Sequence, residues 1–280
     1  PTARSGESAC LGSSFRVTVA SSTLGNRVHP LLHIGDSFAL PTYGPLYLTA
    51  FLTGIALIAW MNTKLGIPYW KMFDIAFQFC IAGEVGARLL FVVVEWDAIT
   101  SGSVSLHRFL VSGRVVLGGV VGGLLAAVWL FRKHRLPVLA VLDASAVPVP
   151  LGLGIGRLGC LMSGCCYGKP TELWWGITFT NPDAHRISGT PLHVALHPTQ
   201  ILQAIDGLVL GAILIVAFYR RRWDGQTFSL FLVLAGALRF GWELLRGDRR
   251  GEAAGLATSQ WIGIFMIAVG AAMYFWTRRR

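Results

Sequence analysis

The 280-residue chain is 54% hydrophobic and only 14% charged, with a mean hydropathy of +0.58. A soluble domain carries about 25% charged residues, so this composition excludes an ordinary water-facing surface. The net charge of +10 would suit nucleic acid, but Lys and Arg cluster at the ends of apolar segments, where they anchor helices against anionic headgroups. No nucleic-acid partner is expected.

In chain order, residues 1–39 are mixed in Ser, Gly and Arg and read as an N-terminal extracytoplasmic arm. Seven apolar runs follow, at about 41–62, 72–94, 115–131, 137–162, 199–218, 227–246 and 257–276. Each approaches the roughly twenty residues that cross about 30 Å of hydrocarbon. The third is short and the fourth long, so their boundaries are the softest. The runs do not alternate in polarity, which excludes a β-barrel, and only helices then satisfy their backbone in lipid. The expected fold is an all-α polytopic membrane protein with seven transmembrane helices. Residues 40–280 form its membrane domain, and the long connection at about 163–198, rich in Pro, Gly, Thr, Trp and His, makes a small extracytoplasmic lobe.

Orientation follows from charge. Lys64, Lys71, the RKHR at 132–135 and the arginine triplets at 220–222 and 278–280 place eleven basic residues on one side, with Asp224 as the acid among them. The opposite side dilutes its bases with Glu7, Asp36, Asp97, Glu172, Asp183, Asp248 and Glu252. The first side is therefore cytoplasmic, with the N-terminus outside and the C-terminus inside.

Charges inside apolar runs cost several kcal/mol unless paired, and they mark function by default. Seven lie there: Glu84, Arg88, Asp143, Arg157, Asp206, Arg239 and Glu243. Glu84 and Arg88 stand four apart and can pair on one helix face. Arg239 and Glu243 repeat that spacing, with Arg246 a turn further, nearest the aqueous rim. Arg157, Arg239 and Arg246 all fall toward the outer ends of their runs. Guanidiniums at headgroup depth grip phosphate oxygens bidentately, and a cleft between the helices would take a phospholipid. Gly154, Gly156 and Gly159 allow close approach of a backbone or a ligand.

The five cysteines are too few for a disulfide scaffold. Three sit in "GRLGCLMSGCCYGKP" at 156–170 as Cys160, Cys165 and Cys166. Their spacing is not that of a tetrahedral metal site, so no metal is expected. "GLGIGRLG" at 152–159 lies inside an apolar run with no βαβ pattern, so no dinucleotide or other cofactor is expected.

These segments resemble the bacterial prolipoprotein diacylglyceryl transferase family. The likeness runs from about residue 31 to 276 through "LLHIGDSFALPTYGPLY", "GARLLF" at 86–91, "PLGLGIGRLG" at 150–159, "YGKPT" at 167–171, "HPTQ" at 197–200, "LRFGWELLR" at 238–246 and "TSQW" at 258–261. The resemblance implies a seven-span protein of the bacterial inner membrane. It implies transfer of a diacylglyceryl group from phosphatidylglycerol to the thiol of a lipobox cysteine in a preprolipoprotein, with glycerol phosphate leaving. Arg157 and Arg239 match the family's phosphate-handling arginines, Gly168 the glycine ending its signature, and Tyr43 a tyrosine used at its site. Arg246, Glu243, Gly159 and Gln200 fall within the same motifs as substrate-binding candidates. The chain departs from the family at five positions: Leu117 stands for a histidine, Cys160 and Ser163 for asparagines, Cys165 for a glutamate and Ala235 for a tyrosine.

Three readings can carry those departures. The chain is a divergent transferase, with Cys165 or Cys166 supplying the nucleophile or base, or His197 the base; or a non-catalytic phospholipid-binding subunit of a larger membrane complex; or a protein whose cysteines serve metal or redox chemistry. Histidine as a residue type titrates near neutrality, which suits a base, but Cys165 takes the place of a carboxylate and is the stronger candidate. Orientation is tested by accessibility. A cysteine placed at Gly189 should react with an impermeant label from outside and one at Gly225 should stay protected; the reverse pattern overturns the charge-derived topology.

Overall fold

The computed structural model describes residues 28, 30–34, 38–102, 115–248 and 251–279. Most of the arm expected at 1–39 lies outside the described residues. The chain is mostly helical. Helix α1 (Tyr43–Thr63) follows a short antiparallel pair, β1 (Leu31–Ile34) with β2 (Phe38–Pro41). Then come α2 (Tyr69–Val94), a one-turn α3 (Trp96–Thr100), α4 (Val116–His134), α5 (Val138–Ala146) and α6 (Pro148–Ser163). The segment after α6 contains β3 (Ile177–Thr178), α7 (Pro182–Ser188) and β4 (Ala195–Leu196). Helices α8 (Thr199–Arg220) and α9 (Gln226–Glu243) follow, then the pair β5 (Glu252–Ala253) and β6 (Leu256–Ala257), then α10 (Thr258–Arg278).

Among the described residues, five helical stretches are long and apolar enough to cross a membrane: 43–63, 69–94, 138–163, 199–220 and 258–278. Their outward faces carry large apolar side chains, among them Leu48, Trp70, Leu89, Leu208 and Phe265. Exposure on that scale belongs against lipid rather than water. The run expected at 137–162 is two helices, because Pro148 at the first helical position has no N–H to continue α5. The run expected to reach 246 ends at Glu243, so Arg246 is not part of a helix.

Helix α6 packs between α1 and α8, while α9 packs on α10 and α8. Two glycine contacts set these distances. A Cβ on Gly207 would strike the Pro150 carbonyl, and the one on Gly154 would come within 3.0 Å of the Ala204 carbonyl. Gly236 and Gly263 face each other, each Cβ meeting the other's carbonyl oxygen at 2.7 and 2.8 Å. Small residues at these crossings let backbones touch, which is how helices associate where lipid removes the hydrophobic drive.

Asp143 accounts for one charge inside a run. It is fully buried, and it accepts the backbone N–H groups of Gly225 and Phe228, both at 2.8 Å, with Arg221 Nε at 3.7 Å. It therefore satisfies the otherwise orphaned donors at the start of α9. Glu84 and Arg88 do pair, at 3.0 Å.

The segment from Gly164 to Pro198 is held by its own small core. Ile177, Phe179 and Leu196 pack with Val28 and Leu161. Asn181 caps α7 by accepting the Asp183 N–H, and Thr190 Oγ1 donates to the Gly164 carbonyl at 2.9 Å.

Substitution at the glycine crossings should be asymmetric. Gly236→Ala must push α9 from α10 and should cost about 1–3 kcal/mol in thermal unfolding in detergent. Gly241→Ala, whose Cβ would meet nothing, should be neutral or stabilising; equal effects would contradict the packing. Gly225 has φ 94° and its Cβ would meet Thr277, so the accessibility label at this turn belongs on exposed Arg222.

Candidate active site

An open cleft of about 870 Å³ lies between α6, α8, α9 and α10. Its walls include Leu153, Leu210, Phe231 and Leu238, and its polar groups are Arg157, Gln203, Asp206, Arg239, Trp242, Glu243, Arg246 and Ser259. Three arginines expected at the site therefore share one cleft with Glu243. Both acids within it are engaged. Trp242 Nε1 donates to Asp206, and Ser259 Oγ donates to Glu243. The first bond ties α8 to α9 and the second ties α9 to α10. The wider cleft between α1, α2 and α4 offers Glu84 as its charged group, and among the described residues no cation lines it.

Arg246 is not a screened rim residue. It is buried, and Nε and Nη2 both bond Asp248 at 2.8 Å. Its backbone forms a bridge with Gly168, where Gly247 N–H donates to Tyr167 and Lys169 N–H to Leu245. On the other side His197 N–H donates to the Lys169 carbonyl at 3.0 Å. Three backbone segments thus converge at Gly168. A Cβ there would meet His197 Cβ at 2.5 Å and its carbonyl oxygen at 2.6 Å. The signature glycine sets the separation between the Arg246 and His197 segments.

Behind the cleft lies a second grouping. Cys160 is in the last turn of α6. Gly164, at φ 74°, ends that helix, and Cys166, at φ 61°, reverses the chain. The Sγ atoms of Cys160, Cys165 and Cys166 come within 4.8 Å of one another, and none is in a disulfide. Gln200 Nε2 donates to the Cys165 carbonyl at 2.9 Å and Thr199 Oγ1 to the Cys166 carbonyl at 2.7 Å. Both anchors are fully buried at the start of α8. Gln200 thus positions the cysteine loop and does not line the cleft. Tyr43, at the start of α1, lies in electrostatic range of all three thiols, and Gly159 packs against its ring. Arg157 joins the two groupings, with Nη1 4.0 Å from Cys160 Sγ. Arg246 joins them again through Cys166.

This arrangement sets the three thiols apart electrostatically. Hydrogen bonding to Cys160 and Cys166, with burial, pushes Cys165 well above the ordinary thiol range. Hydrogen bonds from Cys160 and Cys165, with the positive Arg246 beside it, hold Cys166 well below that range. These surroundings favour the thiol form at Cys165 and the thiolate at Cys166. The sequence missed Asp206, Trp242 and Ser259 as cleft residues. Asp206 carried a signal as a charge in a span, and Ser259 and Trp242 each lay in a family motif. Limiting iodoacetamide at pH 7 should alkylate Cys166 before Cys165, read by peptide mass spectrometry. Preferential reaction at Cys165 would contradict the assignment.

A family model described as prolipoprotein diacylglyceryl transferase matches residues 30–276. A Clostridium tetani protein named phosphatidylglycerol–prolipoprotein diacylglyceryl transferase is 34% identical over 232 residues, covering 83% of this chain and 91% of its own. A second protein of that name, numbered 2, from Clostridium perfringens is 31% identical across 86% of this chain and 93% of its own. One from Nitrosomonas europaea is 31% identical across 90% and 92%. The match spans both the cleft and the cysteine loop. The chain belongs to the prolipoprotein diacylglyceryl transferase family.

Proposed function

We propose that the chain transfers the diacylglyceryl group of phosphatidylglycerol to the thiol of a lipobox cysteine in a preprolipoprotein. The observation that carries this is the meeting of Arg157, Arg239 and Arg246 in one cleft with apolar walls, in a chain whose relatives bear the transferase name. Those names favour the transferase over a phospholipid-binding subunit that lacks activity. The protein is a multi-pass protein of the bacterial inner membrane. In our reading seven spans cross it, the N-terminus and the segment 163–198 face outward, and the C-terminus is cytoplasmic.

The chemistry follows from the groups present. The acceptor thiol loses its proton and its sulfur attacks the diacylglycerol carbon that carries the phosphate. That carbon–oxygen bond breaks, and glycerol phosphate leaves with the electron pair. The leaving group gathers negative charge, and preorganised guanidiniums between apolar walls stabilise it. Arg157 and Arg239 take the phosphate oxygens. Arg246, oriented by Asp248, adds a fixed positive charge at the edge. The acyl chains lie along Leu153, Leu210 and Phe231 and pass out between helices into lipid. His197 takes the acceptor's proton, and Tyr43 closes the site on the α1 side.

Transfer of labelled diacylglyceryl from phosphatidylglycerol to a lipobox peptide tests this. Arg157→Ala should lower the rate about 10²–10³-fold, and His197→Gln should also abolish rapid transfer while leaving phosphatidylglycerol binding intact. Unchanged transfer in Arg157→Ala, or an inactive wild-type protein, would overturn the proposal.

A further inference from the structure

The three thiols behind the cleft form a metal-ligating cluster for which the transfer reaction has no need. We propose that Cys160, Cys165 and Cys166 bind one soft, thiophilic cation in trigonal sulfur coordination, with Cu(I) the ion of best fit.

The geometry is close to what such a site requires. Sulfurs bound about 2.3 Å from a common cation stand roughly 3.8–4.0 Å apart. The three Sγ atoms already lie within 4.8 Å of one another, so closing on an ion takes side-chain rotation and less than an ångström of contraction. The backbone is held for it. Cys160 is fixed in the buried last turn of α6, and the carbonyls of Cys165 and Cys166 are pinned by fully buried Gln200 and Thr199. A preorganised ligand set loses little freedom when it binds. Cys165 and Cys166 are half-buried, which leaves the ion a way in.

The ligand set and the surrounding charge choose the ion. Thiolates select soft cations such as Cu(I), and zinc in a structural site takes four ligands. Among the described residues, no fourth His, Cys, Asp or Glu joins this group. Three thiolates around a monovalent cation leave a charge of −2. Arg157 stands 4.0 Å from Cys160 Sγ and Arg246 lies beside Cys166, so two guanidiniums stand where that charge falls. Ser163 Oγ, 3.1 Å from Cys165 Sγ, supplies a further hydrogen bond to a coordinated sulfur. Binding releases the remaining thiol protons to solvent and involves no change of oxidation state.

The test is anaerobic titration of the purified full chain in detergent with Cu(I), buffered by a chromophoric Cu(I) chelator. One ion per chain is expected, with an X-ray absorption first shell of three sulfurs. Cys160→Ser, Cys165→Ser and Cys166→Ser should each weaken binding at least 100-fold, while Cys80→Ser, a thiol in α2 outside the cluster, should not. A readout on the wild-type protein guards against misfolded variants: bound Cu(I) should block maleimide labelling of Cys160, Cys165 and Cys166 together. Failure to bind Cu(I), tight binding that survives the three single substitutions, or protection that omits one of the three thiols would overturn the site. Tighter binding of Zn(II) than of Cu(I) under the same titration would overturn the choice of ion. None of these readouts depends on diacylglyceryl transfer, so the two proposals can fail separately.

Discussion

A charge within apolar surroundings must find a partner or neutralise, and that constraint orders the interior of this protein. A solvated pair on a protein surface contributes under about 1 kcal/mol, but an unpartnered charge at bilayer depth costs several. Asp143 meets the requirement by accepting the first backbone donors of α9. Glu84 meets it with Arg88 one turn away. Asp206 and Glu243 meet it across helix boundaries, through Trp242 and Ser259. Those last two bonds fasten α8, α9 and α10 into the walls of the cleft that the arginines line.

The same economy explains why the cleft and the cysteine loop are mechanically one unit. Gly168 lets the segments of Arg246 and His197 approach a common strand. A turn earlier, Gly164 and Cys166 take positive φ and fold the thiols back on α6. Only a few per cent of non-glycine residues adopt that conformation, and at Cys166 the buried Thr199 hydroxyl holds it. Arg157 and Arg246 each look both ways, toward the cleft and toward sulfur. A ligand in either place would meet the field of the other through those two side chains.

Much of this was legible in the sequence, for physical reasons. The apolar runs recover the long helices because hydrophobic length is a direct consequence of bilayer thickness. Arg157, Arg239, Arg246 and Glu243 were found because charge in a greasy run is expensive and therefore informative. What stayed hidden depended on the third dimension. The interruption at Val147 was written in Pro148 but masked by the length of the run. Asp143 looked functional because its partners lie 82 and 85 residues away. Arg246 looked like a rim residue because nothing in the linear order brings the Gly168 and Cys166 segment against it. The thiol cluster was dismissed on spacing, a criterion that cannot see a chain reversal set by two positive φ angles. The resemblance to a family supplied the reaction, and neither hydropathy nor spacing could have done so.

The account turns on where phosphatidylglycerol places its phosphate. Phosphatidylglycerol bearing a photoreactive group on its headgroup glycerol, irradiated in membranes and followed by peptide mass spectrometry, reads that position directly. Crosslinks should fall on the α8–α9 walls around Gln203 and Trp242 and should be competed away by glycerol phosphate. Crosslinks concentrated instead around Tyr47, Phe79 and Gly123, in the cleft between α1, α2 and α4, would contradict the assignment of the arginine-lined cleft as the substrate site.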